Sequence, residues 1–366
     1  MIAGRATAEG TTRFRDRFEG EVAEGHFRAF GDLWLSSIGL GTYLGAADDE
    51  TDSLYEEAIL EALAAGCNVF DTSINYRHQR SERALGSALH RAFDRGLAAR
   101  DEVFVSTKGG FLPFDRQVPS NRKRYLEEEY LASGLIPRDE LVAGCHSLAP
   151  SFVANQLDRS RKNLSLETID LYYLHNPEMQ LEAIGHDALL TRLADAFGTL
   201  GKADEEGSVA ALGIATWSGL REPPESRDHL SLEAVAKTLR EGAHWAVQLP
   251  VNVAMPEALA KPTQKLGSDG VVVPPRVAVA SLGASLFASA SILQGRLATG
   301  GLPAEIRPLF PNLTTDAQRA LQFTRSAPGV MTAIVGMSQG AHVAENLEVA
   351  RVEPAGIEPY ARMFGA

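Results

Sequence analysis

The chain is poor in cysteine and in lysine: it has two cysteines, Cys67 and Cys145, and seven lysines among its 35 basic residues. Two cysteines cannot make a disulfide framework, and their separation matches no metal-ligand pattern, so no metal site is expected and a reducing cytosol fits. Both are read as small buried apolar residues. Positive charge is also scarce, with a formal net charge of -12 and a pI near 5.3. That balance argues against nucleic acid or an anionic membrane as a partner and leaves small molecules or other proteins. No apolar run approaches the roughly 20 residues needed to cross a bilayer. Met1 to Gly25 lacks the apolar segment of a signal peptide. A cytoplasmic protein is the expectation; nothing in the sequence fixes its oligomeric state. The Gly-x-Gly-x-x-Gly turn of a dinucleotide-binding Rossmann domain is missing too, since Gly39-Leu40-Gly41 sits inside an apolar run rather than after one.

What the chain does have is length, 366 residues with 45% hydrophobic content, and a regular alternation of short apolar runs with amphipathic stretches. Strands are expected near Ile38 to Gly41, Val69 to Asp71, Val103 to Thr107, Ile169 to Leu174, Ala211 to Ala215, Ala246 to Leu249, Ser285 to Ala288 and Thr332 to Val335. Strands alternating with helices make repeated βα units with a parallel sheet, and this number closes a (β/α)8 TIM barrel of the α/β class. Residues 1–25 read as a polar tail and 26–366 as one barrel domain. His26 to Leu35, broken at Gly31-Asp32, reads as a β-hairpin. The first helix should start at a Ser53/Glu56 capping box, bury Leu54, Ala58, Ile59, Ala62 and Leu63, and stop at Gly66.

Four residues stand just past these runs: Asp71, Tyr76, Lys108 and His175. A parallel barrel builds its active site at the carboxyl ends of its strands, so they should converge. A free tyrosine has a pKa of about 10 and needs help to move a proton near neutrality. An adjacent ammonium lowers that pKa, and a carboxylate anchors the ammonium. Tyr76 is thus the expected general acid/base, Lys108 its electrostatic partner and Asp71 the anchor, with His175 orienting a carbonyl oxygen. Singly, each has an ordinary structural reading: a helix cap, a half-buried aromatic, a surface charge and a core histidine.

The chain resembles the aldo-keto reductase superfamily in Gly39-Leu40-Gly41-Thr42, Asp71-Thr72-Ser73-Ile74-Asn75-Tyr76, Ser81-Glu82-Arg83-Ala84-Leu85-Gly86, Ser106-Thr107-Lys108, Asp170-Leu171-Tyr172-Tyr173-Leu174-His175 and Glu345-Asn346-Leu347. The resemblance runs in order from about Phe27 to Ala350. It implies that the hairpin plugs the barrel bottom, that the four residues are the catalytic tetrad, and that an extended nicotinamide dinucleotide supplies hydride, which no side chain donates. It further implies cofactor contacts from Gly41, Thr42, Asp71, Thr216, Gln248, the loop bearing Leu293 and Gly295, and Gly336, Ser338, His342, Glu345 and Asn346. NADP(H) is favoured by family habit and NAD(H) is the alternative, because Gly336 to His342 has no Lys or Arg for a 2'-phosphate. The expected function is NAD(P)(H)-dependent interconversion of a carbonyl and an alcohol. The alternatives are a sugar dehydrogenase running oxidatively and a redox-sensing module like the channel-associated beta subunits.

The chain departs from the pattern in four places. The Tyr76 to Ser81 segment is two residues longer than the usual Tyr-Gly-x-Ser-Glu, placing Arg77, His78, Gln79 and Arg80 at the mouth as substrate contacts or solvated charges. Ala215-Thr216 replaces the usual Ser-Asn pair. Ser289 stands where many members stack an aromatic on the nicotinamide, a space left to Trp217 or Phe287. Gly109 to about Pro150 is long for a connecting loop and is read as a lid over the substrate mouth.

Overall fold

The short apolar runs do pair side by side. In the computed structural model, which describes residues 1–364 except Glu241 and Ala243, the strands are β1 (Phe27–Phe30), β2 (Leu33–Ser36), β3 (Ile38–Gly41), β4 (Val69–Asp71), β5 (Phe104–Gly109), β6 (Leu171–His175), β7 (Leu212–Ala215), β8 (Trp245–Pro250), β9 (Gln264–Leu266), β10 (Val271–Val273), β11 (Ala284–Ser289) and β12 (Val330–Gly336). The barrel closes in the order β11-β12-β3-β4-β5-β6-β7-β8, with every neighbouring pair parallel. This is the expected (β/α)8 barrel. The eight barrel strands match the expected runs to within about two residues at each end, because buried parallel strands read as apolar runs bounded by polar residues.

Register places the chemistry. Gly41 pairs with both Gly336 and Asp71, and Asp71 with Ser106. Lys108 lies beside Tyr173, and Ala215 beside both His175 and Gln248. Residues distant in sequence therefore form one ring at the strand ends.

The opposite end is plugged. The β1/β2 hairpin sends Phe30 into the barrel floor, where its ring meets Phe104 at 5.3 Å and Phe287 at 5.7 Å. Leu35, Val69, Leu171, Tyr173 and Ile334 complete that layer.

Two local expectations need correction, and one element is new. Residues 1–25 are not a loose tail: they contain helix α1 (Ala8–Arg17), capped by Thr7 and burying Phe14. Ile2 bridges to Leu166, and the Ala6 amide donates to Asp170 Oδ1 at 2.7 Å. The anchors are few apolar residues in a charged stretch, which is why the average composition hid them. Helix α2 (Asp49–Ala64) starts one turn before the Ser53/Glu56 box, with Asp48 accepting from the Thr51 amide at 2.8 Å. Ser53 instead donates to the Asp49 carbonyl at 3.0 Å, and Tyr55 is buried while Leu54 is exposed. Finally, the loop after β8 carries an extra antiparallel hairpin, β9/β10, which was not foreseen.

The Gly109 to Pro150 insertion forms its own small core. Short helices cover Arg122–Leu126 and Glu127–Leu131, and Tyr130, Ile136 and Ala149 pack on Phe152 of the following helix, Pro150–Leu164. The Tyr130 hydroxyl donates to the Pro113 carbonyl at 2.6 Å.

Candidate active site

At the carboxyl ends of the strands lies a cavity of about 370 Å³, lined among others by Gly41, Thr42, Asp71, Asn75, Tyr76, Phe111, His175, Thr216, Trp217, Gln248 and Gly336. Lys108 sits behind this lining and is fully buried. Its Nζ donates to Asp71 Oδ2 at 2.5 Å and to the Thr72 carbonyl at 2.7 Å. The same ammonium is 4.9 Å from the centre of the Tyr76 ring, close enough for its charge to act on the phenol. Asp71 is held in turn, its Oδ1 accepting from Ser106 Oγ at 2.8 Å and from Gln248 Nε2 at 2.9 Å. The expected quartet is thus assembled around one cavity.

Electrostatics refine the roles. Burial raises the Tyr76 pKa, and the nearby Lys108 charge only partly offsets it, so the phenol keeps its proton at neutral pH. Sequence reasoning expected the ammonium to dominate; in the fold desolvation outweighs it. Burial also acts to lower the Lys108 pKa, but Asp71 and Tyr76 more than compensate, and the ammonium stays charged. His175 is pushed well below its usual range by burial, then by Lys108 and His146, so it is a neutral imidazole. A protonated phenol beside a fixed ammonium, together with a neutral imidazole, can give a proton and a hydrogen bond to a carbonyl oxygen.

The loop that delivers Tyr76 is strained. Arg77, His78 and Gln79 all have positive φ, at 47°, 58° and 69°, a conformation non-glycine residues adopt only when their surroundings enforce it. Arg77 is clamped by the Ala46 carbonyl at 2.7 Å and Asp52 at 2.5 Å, and Gln79 by the Phe114 carbonyl at 2.9 Å. Arg80 pairs with Asp49 and Asp52. Arg77, Gln79 and Arg80 are therefore buried staples rather than solvated charges, His78 is half-buried, and none of the four lines the cavity.

The Aldo/keto reductase family model matches residues 37–233, more than half of the chain. The chain belongs to the aldo/keto reductase family. It is an oxidoreductase acting on carbonyl and alcohol substrates with a nicotinamide dinucleotide. Similar proteins include a D-threo-aldose 1-dehydrogenase from a Pseudomonas species, 29% identical over 82% of this chain and 84% of that one. A 6-dehydroglucose reductase from Novosphingobium aromaticivorans is 23% identical over 89% and 90%. Among solved structures, the glycerol dehydrogenase of Gluconobacter oxydans superposes with a TM-score of 0.63 at 17% identity, covering 94% of this chain and 95% of that one. An aldo/keto reductase from Klebsiella pneumoniae in complex with NADP and acetate gives 0.61 at 18%, covering 93% and 96%.

The remaining candidates of this aldo/keto reductase divide into three groups. Gly41, Thr42, Thr216, Gln248 and Gly336 line the cavity with Asp71, Tyr76 and His175. Leu293 and Gly295 flank Gln294, which lines it in their place. Ser338, His342, Glu345 and Asn346 lie beyond it, the last three on the helix Gly340–Leu347. His342 is exposed, whereas Asn346 is buried with an Oδ1 that has no partner among the described residues. Thr216 has spent its hydroxyl proton on Glu178 Oε1 at 2.7 Å. Of the two aromatics considered for the space at Ser289, Phe287 is locked in the barrel floor, and Trp217, 44% exposed, stands at the cavity.

Sequence reasoning missed several residues here. Tyr43 packs edge-on against Tyr76 at 4.9 Å, and Phe111 against His175 at 5.0 Å. His146 Nε2 meets the His175 carbonyl at 2.7 Å. Glu178 Oε1 gathers Thr216 and the amides of Trp217, Ser218 and Gly219. Two carried a visible signal: Asn75, directly before Tyr76, and Phe111, at the start of the insertion expected over the substrate mouth.

Proposed function

We propose that this protein reduces a small aldehyde or ketone to the alcohol, with Tyr76 as proton donor, Lys108 as its electrostatic partner, Asp71 as the anchor of Lys108 and His175 as the group that orients the carbonyl. The observation that carries the reading is the Tyr76 phenol at the cavity wall with the Lys108 ammonium 4.9 Å from its ring, where desolvation keeps the phenol protonated beside a charged Lys108. A protonated phenol is ready to donate, whereas alcohol oxidation would first require the phenolate.

The cofactor fits the residues present. The cavity reaches from Tyr76 to Gly336 at the end of β12, and Asn346 keeps a buried, unpartnered oxygen one helix further on, a ready acceptor for the adenosine end. Gln248, whose Nε2 is bound to Asp71, has its Oε1 for a carboxamide amino group, and Thr216 Oγ1 can accept from the same group. Leu293, Gly295, Ser338, His342 and Glu345 complete the binding path, with Gly41 and Thr42 beneath it. When bound, the reduced nicotinamide supplies a hydride to the carbonyl carbon. The chain's own part is to hold the carbonyl oxygen between Tyr76 and His175, pass the Tyr76 proton to that oxygen, and hold the resulting phenolate charge beside Lys108.

NADP(H) is the favoured cofactor and NAD(H) the alternative. Cys67 and Cys145 are both free, which supports a cytoplasmic setting. The oxidative reading, a sugar dehydrogenase, draws support from the aldose dehydrogenase relative. Turnover of a panel of small aldehydes with NADPH and NADH tests the proposal: reduction is expected, and activity confined to alcohol or aldose oxidation would favour the second reading.

A further inference from the structure

A neutral imidazole carries one N–H, so only one of its nitrogens can donate. To polarise a carbonyl oxygen His175 must present an N–H to the cavity, and its other nitrogen must then be an acceptor. That other nitrogen, Nδ1, faces Ser73 Oγ at 3.3 Å. Ser73 is fully buried and has a single proton with three acceptors in reach: Asn75 Oδ1 at 2.6 Å, the Lys108 carbonyl at 3.2 Å and His175 Nδ1. Asn75, on the far side of Ser73, lines the cavity next to Tyr76.

If Ser73 gives its proton to the Lys108 carbonyl, His175 must donate Nδ1–H to Ser73 and Nε2 is left bare; otherwise the three side chains form one hydrogen-bond chain with two directions. In the first, Asn75 turns its oxygen to Ser73, Ser73 donates to it, and His175 donates Nδ1–H to Ser73. His175 then offers the cavity a bare Nε2, and Asn75 offers its amino group. In the second, the Asn75 amino group donates to Ser73, Ser73 donates to Nδ1, and His175 presents Nε2–H. Asn75 then turns its carbonyl oxygen to the cavity, where it needs a donor. Only the second direction polarises a carbonyl, and a ligand with a hydroxyl at Asn75 stabilises it.

We propose that Ser73 and Asn75 set the tautomer of His175, and that the preferred substrates carry a hydroxyl beside the carbonyl, donated to the Asn75 oxygen. Ser73 is a positioning residue and Asn75 a specificity determinant. This rests on the carbonyl-reductase reading above and adds a substrate class to it. The chain makes the active orientation of His175 depend on the substrate, so an aldehyde without the hydroxyl leaves the imidazole in the wrong tautomer for part of the time.

The test compares lactaldehyde with propanal, which has the same carbon chain without the hydroxyl, in the NADPH-dependent assay. Wild type should prefer lactaldehyde, and Asn75→Leu should cut that preference at least about tenfold, as expected when a site loses its partner for a substrate hydroxyl. Ser73→Ala should lower kcat for both aldehydes, and Ser73→Thr should restore it. Independently, 15N spectra of histidine-labelled protein, with His175 assigned by its loss in His175→Gln, read the tautomer directly. Propane-1,2-diol should convert His175 to the Nε2–H form in wild type but not in Ser73→Ala. An undiminished lactaldehyde preference in folded Asn75→Leu, or the same tautomer response in Ser73→Ala as in wild type, overturns the inference. If wild type reduces neither aldehyde, the carbonyl-reductase reading fails first, and the spectra still decide whether the chain sets the tautomer.

Discussion

The strand β5 has a buried ion pair near each end, and the two pairs differ in where they lead. At its start, Arg100 meets Asp170 at 2.8 Å, with Arg100 also donating to the Val103 and Thr168 carbonyls. Asp170 is saturated further by the amides of Ala6 and Val105. Every partner there is protein, and the pair ties the N-terminal segment to the barrel floor. At the other end Lys108 meets Asp71 at 2.5 Å, but this pair continues into a phenol that lines an open cavity. Both pairs bear the desolvation cost of two charges. Chemistry requires the second arrangement, in which a buried charge acts on a group that a ligand can touch.

Lys108→Met should break that comparison most sharply. Removing the ammonium raises the Tyr76 pKa further and leaves the nascent phenolate unsupported, so carbonyl reduction should fall about 10² to 10⁴-fold, measured as kcat. Alcohol oxidation, which needs the phenolate, should retreat to higher pH in the same variant; an unshifted oxidation profile would detach Lys108 from Tyr76. Arg100→Met should do the opposite. It leaves Asp170 buried without its cation and should cost about 3 to 5 kcal/mol in denaturant unfolding, with kcat of the folded fraction little changed.

A second contrast lies within the Gly109 to Pro150 insertion, where Phe111 lines the cavity and Tyr130 lies in a separate small core. Phe111→Ala should raise KM for the carbonyl substrate about tenfold, whereas Tyr130→Ala should lower stability by about 3 kcal/mol and leave the substrate profile alone. Equal effects of both on KM would show that the whole insertion, not its first residues, shapes the mouth. Smallest is the cofactor effect. Without a cation in the Gly336 to His342 segment, neutral donors must hold a 2'-phosphate, so NADPH should bind no more than about a hundredfold better than NADH. His342 is exposed on the helix that follows this segment, and His342→Arg should widen the gap in a fluorescence titration of both nucleotides.

The barrel was legible because eight apolar runs of the right length recur along the chain, and the candidate quartet because its members sit at or just past the ends of three of them. The rest was hidden for physical reasons. The N-terminal segment is anchored by scattered residues, Ile2, Ala6 and Phe14, that do not make a period. The Arg77 to Arg80 staple depends on carbonyls at 46 and 48 and on Asp52, which only the fold brings near. The raised Tyr76 pKa needs the depth of burial, which no spacing of residues records. Asp170 and Asp71 look alike in sequence, each at the edge of an apolar run; their surroundings separate them.

The central claim is that the Tyr76 hydroxyl gives the proton, and Tyr76→Phe removes that hydroxyl while keeping the ring that packs against Tyr43 and His175. Steady-state carbonyl reduction and nucleotide binding should be measured together on this variant. The account predicts a fall in kcat of about 10² to 10⁴-fold with the nucleotide Kd nearly unchanged. Retention of more than about a tenth of the wild-type kcat would contradict it.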